Sequence, residues 1–150
     1  MEIYTEGGCE PNPGNGSWAF VKIHKTGQIE TKSGRASEIT TNNRMEYTAF
    51  IEALKSITNN DESVTVYSDS MLLVNTVNSW MHSWYKKKWK RKKKEIKNID
   101  LVKTIYSLMN GRPNINLKWV RGHNGNKYNE MADALCEQIM YNVSNTNVER

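Results

Sequence analysis

The sequence predicts an α/β protein built on one mixed, five-stranded sheet with helices packed against it. Three observations carry that prediction. Between Glu2 and Lys32 three β-like segments follow one another through Gly-containing turns, the pattern of an antiparallel meander. Two further β-rich segments, Val64–Ser68 and Ile115–Val120, lie well downstream. The stretches between and after them carry helical spacing, so the order is βββαβααβα in outline and both strand directions share one sheet.

Each element has a local cause. Glu2-Ile3-Tyr4-Thr5-Glu6 alternates and closes at Gly7-Gly8, ahead of the turn region Pro11-Asn12-Pro13-Gly14. Ser17 to His24 is the second strand, and Lys25-Thr26-Gly27 turns it into a third, Gln28 to Lys32. A helix begins at Asn43, with Tyr47, Phe50, Ile51, Leu54 and Ile57 on one face, and Asn59-Asn60-Asp61 stops it. β-branched residues dominate Val64–Ser68. Short helical segments follow, from Ser70 to Asn78 and from Ser79 into a lysine run. The helix from Ile99 to Met109 ends at Asn110-Gly111, with Pro113 beyond. After the Gly122–Gly125 loop the last helix carries Tyr128, Met131, Ala132, Leu135 and Ile139 as its apolar stripe. The polar tail after Asn142 is expected to fray.

The length of 150 residues suits one domain, 1–150, and a composition of 37% hydrophobic and 25% charged residues is globular rather than disordered. No apolar run reaches the length of a membrane span, and Met1-Glu2-Ile3-Tyr4 enters a strand pattern directly, so neither a membrane partner nor a signal segment is expected. Cys9 and Cys136 have no metal-binding spacing, which points to a reducing, cytoplasmic setting. The net charge of +5 is unevenly spread. Between Lys86 and Lys97 eight lysines and Arg91 face a single Glu95, a net of +8, so the rest of the chain carries −3. A mildly acidic body with a basic appendage suggests a polyanionic partner. Lys92-Lys93-Lys94 also reads as a nuclear-localisation-like cluster or a solvated face, but the interleaved Trp residues favour nucleic acid.

Four acids, Glu6, Glu46, Asp69 and Asp133, fall at a strand end, a helix start, another strand end and a helix flank, places that converge at one edge of a sheet. Converging acids need a cation among them, and divalent metals with oxygen ligands are the usual answer. Each acid also has a structural reading. Glu46 stands three residues after Asn43, as in a capping box; Asp69 can cap the helix after it; Glu6 and Asp133 can be solvated; His123 can be a surface loop histidine.

The runs Thr5-Glu6-Gly7-Gly8-Cys9 with Asn12-Pro13-Gly14, Thr41-Asn42-Asn43-Arg44-Met45-Glu46, Tyr67-Ser68-Asp69-Ser70, and Val120-Arg121-Gly122-His123 with Asn129-Glu130 and Asp133 together resemble type 1 ribonuclease H, of the retroviral-integrase-like superfamily. The likeness runs in order from Met1 to about Met140 and includes a basic protrusion at about 80–97, with Trp80, Trp84 and Trp89 among lysines. It implies a ribonuclease H-like sheet of strand order 3-2-1-4-5. It also implies endonucleolytic hydrolysis of the RNA strand of RNA–DNA hybrids by two divalent ions, normally Mg²⁺ with Mn²⁺ able to substitute, leaving 5′-phosphate products. By the same likeness the metal ligands are Glu6, Glu46, Asp69 and Asp133, and His123 is a mobile catalytic residue. Cys9, Asn12, Asn42 and Asn43 fall at hybrid-contacting positions, Thr41 and Asn12 at a DNA-strand phosphate, and Trp80, Trp84, Lys86, Lys87 and Lys88 on the protrusion. The expected state is a monomer without an obligatory protein partner, serving replication.

Two residues depart from the family pattern. The first carboxylate is Asp in the family and Glu6 here, one methylene longer, so its head is expected to be pushed outward by more than about an ångström. Metal sites tolerate only a few tenths of an ångström, so weakened catalysis or altered metal occupancy is expected. The competing reading is a hybrid-binding protein or active-site variant with little or no cleavage. Met71 stands where the family often has a hybrid-touching Gln.

Overall fold

The computed structural model describes residues 1–58, 62–91 and 94–149, and side chains as far as Met140. Five strands, β1 (Glu2–Glu10), β2 (Asn15–Ile23), β3 (Ile29–Arg35), β4 (Val64–Ser68) and β5 (Ile115–Trp119), form one sheet in the order β3-β2-β1-β4-β5. β1–β2 and β2–β3 are antiparallel, whereas β1–β4 and β4–β5 are parallel. The predicted mixed sheet and its order are both present.

β1 is the central strand, and its alternation sends successive residues to opposite faces. Ile3 joins Phe20, Phe50, Leu54, Val64, Val66 and Ile105 in the main core, beneath α1 (Asn42–Ser56) and α4 (Ile99–Met109). Tyr4 faces the other way, stacked on Tyr67 and tilted against Tyr128 of α5 (Lys127–Glu149). The sheet is thus covered by α1 on one side and α5 on the other.

Several boundaries differ from expectation, β3 among them, which runs on to Arg35, and three have a clear physical reason. β1 does not close at Glu6 but pairs on through Gly7↔Trp18, Gly8↔Ser17 and Cys9↔Gly16, so Glu6 lies inside the strand. The glycines are there for space, not for a turn. A Cβ at Gly7 would lie 2.2 Å from the Met45 carbonyl carbon and 2.5 Å from the Glu46 nitrogen. Secondly, the segments after β4 form a nearly continuous rod: α2 (Met71–Asn75), a π-helical turn (Thr76–Trp80) and α3 (Met81–Lys86). Thirdly, the backbone of α5 stays helical through Glu149, across the stretch expected to fray, where no Gly or Pro interrupts it. Asn59-Asn60-Asp61, the expected helix stop, lies outside the described residues, and α1 ends at Ser56. There Arg112 donates to the Ile57 carbonyl (2.8 Å), satisfying a helix-end acceptor.

The protrusion beyond α3 is wedged from below by aromatic rings. Tyr85 stacks on Tyr106 of α4 at 4.4 Å, and Trp89 meets Tyr106 edge-on at 5.7 Å. Lys88 and Trp89 both adopt positive φ (55° and 63°), a bend that costs roughly 1–2 kcal/mol per non-glycine residue and is held by this packing.

Gly7→Ala is expected to cost about 1–3 kcal/mol in urea denaturation, because the new methyl meets α1 backbone that cannot move aside cheaply. The same substitution at Gly8, where a Cβ would meet only the Met140 and Cys136 side chains at 3.5 Å and beyond, should cost clearly less.

Candidate active site

The close approach at Gly7 sets the first half of the site. Because Gly7 lies against the first turn of α1, its N–H reaches the Glu46 carboxylate, and it also donates to Glu6 Oε1 at 3.2 Å. One backbone amide therefore orients two acids. The capping-box reading of Glu46 fails on the same geometry. The N-cap is Thr41, whose Oγ1 accepts from the Arg44 N–H (3.2 Å), so Glu46 lies beyond the capping position and turns to β1 instead. Asp69 is likewise not a cap, since Ser70 Oγ accepts the Leu73 N–H at 3.1 Å and caps α2.

Glu6, Glu46 and Asp69 each offer a carboxylate oxygen to one cluster, all within 4.8 Å of one another. Glu6 belongs to it despite its extra methylene, its head turned back toward its own Gly7 amide. Asp133 lies outside this group of three but lines the same groove of about 510 Å³ as Glu6. His123, in an αL turn (φ 53°) and largely exposed, brings Nδ1 to 3.9 Å from Asp133 Oδ2.

The electrostatics follow from burial. Glu6 and Glu46 are each only 8% exposed. Desolvation, with the Asp69 and Asp133 charges adding to it, pushes Glu6 up to about 7 even though Glu46 donates a hydrogen bond to it. Glu46 is held well above the usual carboxylate range by burial and by the neighbouring Glu6 charge. The metal-free pair thus keeps a proton between them. The donor set fits a hard divalent cation: oxygen ligands only, two of them buried and short of positive charge.

The remaining predicted residues lie around this centre. Cys9 and Asn42 line the groove, and the Asn42 N–H is accepted by Asn12 Oδ1 at 3.2 Å. The Thr41 hydroxyl oxygen is occupied as the cap, and Asn43 is exposed on the first turn of α1. Cys9 donates its thiol to the Thr40 carbonyl, and burial pushes Cys136 up to about 12, so both remain inert thiols; neither is in a disulfide. Lys86, Lys87 and Lys88 are exposed on the protrusion. There Ser83, Trp84, Lys87, Lys90 and Arg91 line a second groove of about 480 Å³, and Trp80 lies 6.3 Å from the Trp84 ring. Trp89 points inward as part of the wedge. Lys92 and Lys93 lie outside the described residues. Gly7, Gly122 and Trp119 each touch an acid of the cluster or its backbone, and sequence reasoning misses their roles. The only signal for them is their adjacency to the acid-bearing motifs.

Three clustered carboxylates on and beside the central strands, next to a groove and on a chain with a basic protrusion, give an oxygen donor set that fits a divalent cation. The family described as RNase H matches residues 1–141, and the chain belongs to it, as an enzyme of the ribonuclease H class. It is 41% identical over 143 residues to the ribonuclease H of Ruthia magnifica subsp. Calyptogena magnifica, covering 95% of this chain and 96% of that one. Among solved structures, LC9-RNase H1, a type 1 RNase H with the type 2 active-site motif, superposes with a TM-score of 0.75 at 30% identity, covering 91% of this chain and 70% of that one. LC11-RNase H1 in complex with RNA/DNA hybrid shares the fold, with a TM-score of 0.65 at 23% identity, covering 93% and 98%. Among the described residues no helix is long and apolar enough to cross a membrane.

The raised Glu6 carboxyl has a thermodynamic consequence. A group whose folded pKa lies above its unfolded value stabilises the fold fully below the latter, about 4.5, and loses that contribution as pH rises through about 7. In EDTA the protein is therefore expected to melt several degrees lower at pH 8 than at pH 5, a loss on the order of 3 kcal/mol. Mn²⁺ at pH 8 should restore the difference and Glu6→Gln should flatten it. An EDTA melting curve independent of pH would show that the pair is not strained.

Proposed function

We propose that the protein cleaves the RNA strand of RNA–DNA hybrids endonucleolytically with divalent ions at the Glu6–Glu46–Asp69 cluster, leaving 5′-phosphate and 3′-hydroxyl ends. The observation that carries this reading is the cluster itself: three carboxylate oxygens within 4.8 Å on a chain of the RNase H family. Mg²⁺ is the expected ion, with Mn²⁺ as substitute. Bound there, the ions supply Lewis-acid activation of a water and charge neutralisation at the leaving 3′-oxygen.

The chain's own groups divide the remaining work. Glu46, near the start of α1, and Asp69, just past the end of β4, would hold the ions, and Glu6 would join them from β1. Asp133 serves as the peripheral ligand. His123, exposed and 3.9 Å from Asp133, relays a proton or assists product departure. Asn12, Asn42, Asn43 and Cys9 flank the groove where the hybrid's minor groove passes. Amide side chains there both donate and accept, which suits the 2′-hydroxyl that marks RNA. Thr41 and Asn12 receive a DNA-strand phosphate. Trp80, Trp84 and Lys86–Lys88 track the backbone on the protrusion. LC11-RNase H1 has been crystallised with such a hybrid, which supports this substrate.

Glu6 sets the rate. Its longer side chain accepts the Gly7 N–H at 3.2 Å, which sets the orientation of its carboxylate. On a labelled hybrid in Mg²⁺, Glu6→Asp is expected to raise kcat on the order of ten- to a hundredfold with little change in KM. An unchanged rate would remove Glu6 from the metal-holding set, and a hybrid bound but uncut in both Mg²⁺ and Mn²⁺ would leave binding as the whole function.

The protrusion has an independent test. Replacing Lys86, Lys87 and Lys88 together with Ala should weaken hybrid binding and reduce the slope of log K against log salt by roughly 0.9 for each phosphate no longer neutralised. An unaltered slope would make the lysines an ordinary solvated face.

A further inference from the structure

We propose that Trp119, together with Gly122, is a positioning element for Asp69, so that the turn leaving β5 sets the third oxygen of the carboxylate cluster from behind. The inference rests on the metal-site reading above and goes beyond it. Asp69 is the first residue past the end of β4. The last rung of the parallel ladder pairs Ser68 with Trp119, and Ser68 O still accepts the Val120 N–H at 2.9 Å. Beyond that rung the Asp69 backbone has left the strand. Its carbonyl is instead held by a side chain: Trp119 Nε1–H donates to Asp69 O at 3.2 Å.

The carboxylate is confined from the same turn. A Cβ at Gly122 would lie 2.6 Å from Asp69 Oδ2 and 3.3 Å from its Cβ and Cγ. Gly122 does not have a positive φ, so its backbone does not require glycine; a side chain there would instead push the Asp69 carboxylate from its present place. One turn therefore grips Asp69 at the carbonyl and walls its carboxylate. The next residue, His123, reaches toward Asp133, so the same turn approaches both Asp69 and Asp133.

Trp119 is 44% exposed, so burial of its ring explains little of its placement. The indole N–H is the specific feature, and Phe removes that group while keeping a flat ring. Trp119 is absent from the residues packed on the main core and its indole N–H goes to the Asp69 carbonyl, so the proposed effect on chemistry passes through Asp69.

The test uses the full chain with two readouts: Mn²⁺ binding by calorimetry without nucleic acid, and kcat and KM on a labelled hybrid. Trp119→Phe is expected to weaken Mn²⁺ binding about three- to tenfold, the worth of one hydrogen bond, and to lower kcat while leaving KM and the melting temperature in EDTA unchanged. Gly122→Ala should move Mn²⁺ affinity and kcat in the same direction and further. If Trp119→Phe binds Mn²⁺ and turns over like the parent while Asp69→Asn loses both, the positioning role is wrong and the metal site stands. If Asp69→Asn also keeps its Mn²⁺ affinity, the metal-site reading falls and this inference with it. A raised KM with intact kcat and Mn²⁺ affinity would make Trp119 a hybrid contact and overturn the proposal.

Discussion

The site depends on how closely the central strand approaches a helix. Backbone to backbone, β1 meets the first turn of α1 at Gly7, where no side chain fits. That contact lets one amide serve two carboxylates from different elements. It also forces the electrostatic problem. Two acids at 8% exposure cannot both be ionised cheaply, so the apo site holds a proton that a cation would displace. The same packing that builds the core therefore leaves a buried acid pair whose charge a bound cation would relieve.

Much of this is legible in the sequence, and the failures have a common cause. Val64–Ser68 and Ile99–Met109 match the observed elements because each carries its own period and its own stop. Sequence alone ends β1 at Gly7-Gly8, because glycine pairs usually punctuate. Here they continue a strand, since what selects Gly7 is a helix residue thirty-nine positions away that no local window contains. The capping-box reading of Asn43 and Glu46 fails in the same way: Thr41 caps, and Glu46 answers to β1. Family likeness identifies the acids, but it is silent on Trp119 and Gly122. Neither carries chemistry, and their significance appears only when β5 is laid beside β4.

The Glu-for-Asp difference at position 6 also looks different with the fold in hand. From sequence alone, the extra methylene displaces a ligand outward. In the structure the carboxylate accepts its own Gly7 N–H, and one of its oxygens falls within the cluster. What changes is freedom: a longer arm has one more torsion to fix, and the Gly7 amide that fixes it is already shared with Glu46. The expected penalty is therefore one of orientation at the reacting centre rather than loss of the ligand.

The groove and the carboxylate cluster meet at the N-terminal end of α1. Asn42 lies on the groove, Glu46 is in the cluster, and between them Arg44 reaches away to the far end of the protrusion. There it makes paired hydrogen bonds to Asp100 at 2.9 and 3.1 Å and another to Asn98. The guanidinium holds the Asp100 carboxyl below the usual range, although at this exposure such a bridge is worth little in stability. Its consequence is geometric. Asn98, in an αL conformation, is where the chain returns from the basic loop into α4, and Arg44 fixes that return point two residues before Glu46. The return of the protrusion into α4 and the Glu46 carboxylate are thereby both referenced to the N-terminal end of α1.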